Sequence, residues 1–189
     1  MPRGSKPSAA PPAAVRTRRA YFDCQFGQLH VRTAFPATGG FDERVTLVCL
    51  HQTAGSSRAF ERLLPFIAVD RSVYAPDLPG NGESDPAPEP GSARAAAAVS
   101  DLAADLRLRQ IDLLGYLDGG RVAVRLAHDR PELVRRVVLL GPPGGPALPP
   151  VQQPSLVLRL GPAGAAAEFA ADVLQAAPEA LVGRIRAFL

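Results

Sequence analysis

Two cysteines and three histidines are all that this chain of 189 residues offers to disulfide or metal chemistry. Two cysteines cannot build the disulfide framework of a small secreted domain, and Cys24 and Cys49 do not form a C-x-x-C pair. His30, His51 and His128 stand singly, so no metal site is expected. No apolar run approaches the ~18 residues of a membrane span, and no apolar segment with a small-residue cleavage site follows the N-terminus. A membrane partner is therefore not expected, and the location reads as cytoplasmic. Acid is absent from the first twenty residues, where Arg3, Lys6, Arg16, Arg18 and Arg19 gather, so a formal charge of +3 leaves the rest of the chain at −2. The body is not basic, and nucleic acid is not an expected partner, because such binding needs a clustered positive face on a folded surface.

What is present is apolar residue, proline and glycine: 47% hydrophobic, 20 Pro and 17 Gly, a composition that can bury a core and turns often. The Pro/Ala-rich residues 1–18 read as a disordered basic arm and residues 19–189 as one domain. RRAYFDCQFGQLHVRTAF alternates around Gly27 and predicts a β-hairpin. VTLVCL, Val45 to Leu50, is nearly continuous in apolar residues, the pattern of a strand covered on both faces, with Cys49 a small buried hydrophobe. Helical spacing of Phe60, Leu63, Leu64 and Ile67 comes next, then a strand at Ser72 to Pro76. A helix from about Ser92 to Leu108, strand IDLLG, helix GRVAVRLAHD and a strand ending near Leu140 continue the alternation. This order predicts an α/β fold with a mainly parallel sheet and helices on both faces. GPPGGPALPPVQQP, Gly141 to Pro154, reads as a linker, SLVLRL as a further strand, and PEALVGRIRAFL as a helix with Leu181, Val182, Ile185, Phe188 and Leu189 on one face.

Three stretches stand after strands in a telling order: LHQTAGSS from Leu50, DLPGNGESD from Asp77 and LLGYLDGG from Leu113. Together they resemble the α/β-hydrolase family, whose chain places an oxyanion loop, a glycine turn and a nucleophile elbow at these points. The resemblance covers most of the chain from about Tyr21 to Leu140. It implies a relative of hydrolases of esters or similar small substrates, with no cofactor.

The elbow is written G-x-S-x-G, because the backbone doubles back so tightly that the flanking residues must be small. Gly115 and Gly119 fit the flanks and Gly120 begins the helix, but Leu117 takes the nucleophile's place. A leucine side chain has no lone pair with which to attack a carbonyl. The resemblance makes His51 the brace of the oxyanion loop, with Gln52 in place of a glycine, and assigns oxyanion N–H groups to Thr53 and Asp118. A carboxylate at Asp118 would oppose charge developing there. A shifted register that makes Asp118 the nucleophile puts bulky Tyr116 at a tight position, and the alternative for Asp118 is a solvent-facing or helix-capping role.

The acid and histidine of a triad follow the nucleophile in this family. Only His128 follows Leu117, at the end of a helix, and residues 161–177 are too few for the family's late strand and histidine loop. Gly141 to Pro154 leaves no room for a cap. The expectation is therefore an inactive, lidless member, with binding of a small ligand or a protein partner in the old cleft as one alternative and residual hydrolysis through Asp118 as another. An uncovered sheet edge would favour a homo-oligomer.

Overall fold

The computed structural model describes residues 15–37, 44–141, 156–160 and 178–189. Strand β1 (Arg16–Cys24) and β2 (Gly27–Phe35) form the N-terminal hairpin, paired from Arg16 opposite Phe35 to Cys24 opposite Gly27. The first strand starts ahead of the expected domain boundary at Arg19. β2 runs on to Phe35 and gives Arg16, Thr17 and Arg18 ladder partners. Their side chains stay exposed, and charge on an edge strand discourages pairing with another chain.

Beyond the hairpin come β3 (Thr46–Leu50), α1 (Leu64–Ile67), β4 (Val73–Pro76), α2 (Ser92–Asp105), β5 (Ile111–Tyr116), α3 (Gly119–Asp129), β6 (Val134–Leu140), β7 (Leu156–Leu160) and α4 (Pro178–Phe188). The sheet has seven strands in the order β1-β2-β4-β3-β5-β6-β7. β1, β2 and β4 meet antiparallel, and every pairing from β4 through β3, β5 and β6 to β7 is parallel. Most of the linker read at Gly141 to Pro154 lies outside the described residues.

Alternation along β3 divides the core in two. Val48 and Leu50 pack with Ala96, Val99 and Leu102 of α2 and Val122 and Leu126 of α3 on one face. Leu47 and Cys49 pack with Leu64 and Ile67 of α1 and Leu181, Val182 and Ile185 of α4 on the other. Both faces are thus covered, which explains why β3 and β5 read as apolar runs. Burial pushes the Cys49 thiol well above its ordinary pKa, as befits a core residue.

Two boundaries differ from the sequence reading for backbone reasons. The predicted helix around Phe60 to Ile67 is a 3-10 turn at Ser57–Phe60 followed by the short α1. Pro65 has no N–H for the carbonyl of Glu61, so one helix cannot run through. α2 ends before Leu108 because Arg107 takes φ +55°, and the N–H of Leu108 turns back to the carbonyl of Ala103 at 2.9 Å.

Candidate functional site

β5 ends at Tyr116 and α3 begins at Gly119, so two residues reverse the chain. Leu117 does so at φ +48°, in the left-handed region that costs an L-residue roughly 1–2 kcal/mol. Its N–H donates to the carbonyl of Leu140 at 2.9 Å, and its own carbonyl accepts from the N–H of Gly120 at 2.8 Å. The flanks leave no room for a side chain. A Cβ on Gly119 would lie 2.1 Å from the carbonyl oxygen of Leu50, and one on Gly115 would lie 2.4 Å from the Cα of Gly120. This is the strained, glycine-flanked strand-to-helix turn that the sequence pattern implies, with Leu117 at its tip.

The Leu117 side chain is half-buried and packs against the core cluster that holds Phe60, Tyr116 and Leu140. Asp118 is also half-buried, at φ −64° at the N-cap position directly before α3, and its carboxylate does not cap the helix. The helix-capping role considered for it is therefore not taken, because Asp118 already has helical dihedrals and an N-cap acceptor needs an extended residue. The left-handed tip falls on Leu117 and not on Asp118.

A cleft of about 370 Å³ opens beside the turn, and His51, Gln52, Thr53, Asp118, Arg94 and Arg121 all reach its wall. The fold thus brings together the loop residues and Asp118 that the sequence grouped. His51 is fully buried and engaged through both ring nitrogens. Its Nε2 accepts the N–H of Leu78 at 2.9 Å, so Nδ1 carries the proton and donates to the carbonyl of Gln52 at 2.7 Å. Burial lowers its pKa, against the opposing pull of the Gln52 carbonyl and Asp77, and keeps the ring neutral. It ties the loop after β3 to the turn after β4. His128 lies near the far end of α3, roughly 13 Å along that helix from its start.

The sequence reading passed over Asp77, which organises the neighbouring turn. One carboxylate oxygen accepts the N–H of Ser57 at 2.6 Å. The other accepts from the N–H of Glu83 at 3.0 Å and from Nδ1 of His30 at 2.9 Å. Burial works to raise its pKa, but these donors outweigh burial and hold it below the ordinary carboxylate value. A signal was present: DLPGNGESD begins with an acid directly after an apolar strand, where a buried carboxylate needs several donors. Among the described residues no group of three His, Cys, Asp or Glu is placed to hold a metal ion, and no helix is long and apolar enough to cross a membrane.

Comparison with known proteins agrees with this geometry. The family model for the alpha/beta hydrolase fold matches residues 45–188. The pyrrolizixenacetamide deacetylase of Xenorhabdus hominickii is 38% identical over 97 residues, 50% of this chain and 36% of the relative. The 2-hydroxymuconate semialdehyde hydrolase of Pseudomonas sp. (strain CF600) is 40% identical over 88 residues, 43% of this chain and 30% of the relative. The crystal structure of carboxylesterase CesB from Bacillus subtilis superimposes with a TM-score of 0.59 at 25% identity, covering 67% of this chain and 44% of the esterase. The chain therefore spans about a third of the length of these curated relatives and less than half of the esterase.

Proposed function

From a chain that belongs to the alpha/beta hydrolase fold family, we propose a non-hydrolytic member that binds a small molecule in the cleft beside the elbow. The observation that carries this reading is Leu117 at φ +48°, at the tip of the turn, with its side chain packed on the core. A hydrocarbon there can neither attack a carbonyl nor activate water. The cleft beside it is of a size for small ligands and is lined by the loop from His51 to Thr53 and by Arg94 and Arg121. Oxyanion N–H groups of Thr53 and Asp118 fall within this reading, which gives them a role in holding a ligand's carbonyl. The similar proteins are named as a deacetylase, a semialdehyde hydrolase and a carboxylesterase, so acyl compounds and their acids are the first ligands to try.

The second reading, hydrolysis through Asp118, keeps one supporting fact: its carboxylate lies in the cleft wall. It requires a nucleophile from the N-cap position of α3 and not from the strained tip. A panel of activated esters and a thermal-shift screen of carboxylic acids and amides, run side by side, decide the matter. Stabilisation by a ligand without ester turnover is the expected result. Turnover that disappears in Asp118→Asn would sink the binding reading and install the other.

A further inference from the structure

A second cavity, of about 500 Å³, lies between β2, the loop from Gln52 to Ser57 and the turn that Asp77 organises. Along β2, Leu29 and Val31 enter the core, and His30 and Arg32, two residues apart, share the opposite side of the strand. His30 is 2% exposed. Its Nδ1 lies 2.9 Å from a carboxylate oxygen of Asp77, and an ionised carboxylate only accepts, so Nδ1 carries the proton. In the neutral ring the other nitrogen, Nε2, presents a lone pair. It is buried without a protein partner, and so are Oε1 of Gln52 and the Nε–H of Arg32, all three on residues of the same wall. Ser57 adds a buried hydroxyl that lies against Asp77 without completing a hydrogen bond to it.

The wall therefore offers two acceptors and a cationic donor, and that mixture selects the chemistry of an occupant. A simple anion would bring lone pairs against those of His30 and Gln52. A cation would face the guanidiniums of Arg32 and Arg58 as well as the carboxylates of Asp77 and Glu83, so the wall gives neither sign of charge an advantage. A hydroxyl group both donates and accepts, so a molecule with several of them can donate to His30 Nε2 and Gln52 Oε1 and accept from Arg32. Left unpaired, each of these groups carries an uncompensated cost of desolvation. We propose that this cavity is a binding site for a neutral polyhydroxylated molecule, a polyol or sugar, separate from the elbow cleft although Gln52 lines both.

Long-range nitrogen–proton NMR of the three imidazoles in the full chain tests the proposal, with glycerol, ribose, glucose and inositol as probes and inorganic phosphate and acetate as controls. Before addition, His30 should show a bare Nε2 and a protonated Nδ1. At least one polyol should then shift Nε2 of His30 to a plateau, leaving His128 in place, with a dissociation constant on the order of millimolar or tighter. Arg32→Leu and His30→Gln should each weaken that binding about tenfold. Should His30→Gln fail to fold, Arg32→Leu, which changes a side chain nearer the surface, carries the test. A protonated Nε2 at the outset, a response to phosphate alone, or no plateau with any polyol would overturn it.

Discussion

The two ends of β5 have kept opposite things. At its C-terminal end the chain retains a costly backbone shape and has an apolar side chain where the family's chemistry would sit. At its N-terminal end, where the pairing with β6 shifts register between Ile111 and Asp112, charge is concentrated in the interior. Asp112 is fully buried and receives Arg135 through two bonds of 2.9 and 2.6 Å, with Nη1 of the fully buried Arg71 at 3.6 Å. Arg135 and Arg136 continue to the carbonyl of Leu189, each at 2.8 Å, and Arg186 reaches Asp70 at 2.8 Å. Asp70 in turn pairs with Arg71 at 3.1 Å. The ionic end thus ties α4 to the sheet, and the elbow end positions groups around a cleft. The strained turn does not depend on the chemistry of the side chain at its tip, because its glycines and neighbours enforce it. A buried ion pair cannot lose one member so cheaply.

The largest expected effect breaks the ionic end. Asp112→Ala leaves Arg71 and Arg135 without their shared carboxylate, and breaking a buried pair by removing one partner costs about 3–5 kcal/mol. Urea unfolding should show that loss, with a matching one in Arg71→Ala. A change within the range of an ordinary surface substitution would mean that the cluster does not hold the fold.

Next comes the elbow's backbone. Gly119→Ala forces a methyl to within 2.1 Å of the Leu50 carbonyl, and the rigid β3 backbone cannot yield as a flexible side chain would. A loss of about 3 kcal/mol is expected, close to the upper end of what overpacking costs. Equal stability for the alanine variant would show that the turn is looser than the packing implies.

A smaller effect separates the two turns beside the cleft by pH. The folded pKa values of His51 and Asp77 are both depressed, so each contributes stability that is present above its unfolded value and lost as pH falls through its folded value. Melting temperature should begin to fall below the ordinary histidine value of 6.5 and fall again below the ordinary aspartate value of 3.8. His51→Asn should remove the first decline and leave the second. A profile that is flat from neutral pH down to the carboxylate range would refute the buried neutral imidazole.

The elbow was legible in the sequence and the ionic cluster was not, for a physical reason. G-x-L-x-G leaves its mark locally, because steric limits at Gly115 and Gly119 arise within a few residues of chain. Strand and helix order was legible for the same kind of reason, since period and apolar runs record which face is covered. Asp112, Arg71 and Arg135 are distant in sequence and meet only once the sheet has formed. Asp77 and His30 belong to the same class: their partners are mostly backbone N–H groups and a residue 47 positions away. The early start of β1 escaped because its charged, exposed residues read like the arm that precedes them.

The smallest effect expected on activity is none at all, from Leu117→Ser. A serine at the tip would regain the family's nucleophile position on a backbone that is already bent for it. Its hydroxyl would remain weak until a base removed its proton. Each of the chain's 3 histidines is placed against that role. His51 has Nε2 occupied by Leu78 and Nδ1 by Gln52. His30 is held by Asp77 in the wall of the other cavity, and His128 is near the far end of α3. Asp118 would still set a carboxylate in the cleft wall, against any negative charge developing there, and with no base at hand Leu117→Ser with Asp118→Met should also stay near background. The serine variant should lose about 1 kcal/mol with the packing of Leu117 against its core cluster, visible in its melt. A burst of product from an activated ester with Leu117→Ser alone would show that the elbow end had kept a base as well as its shape.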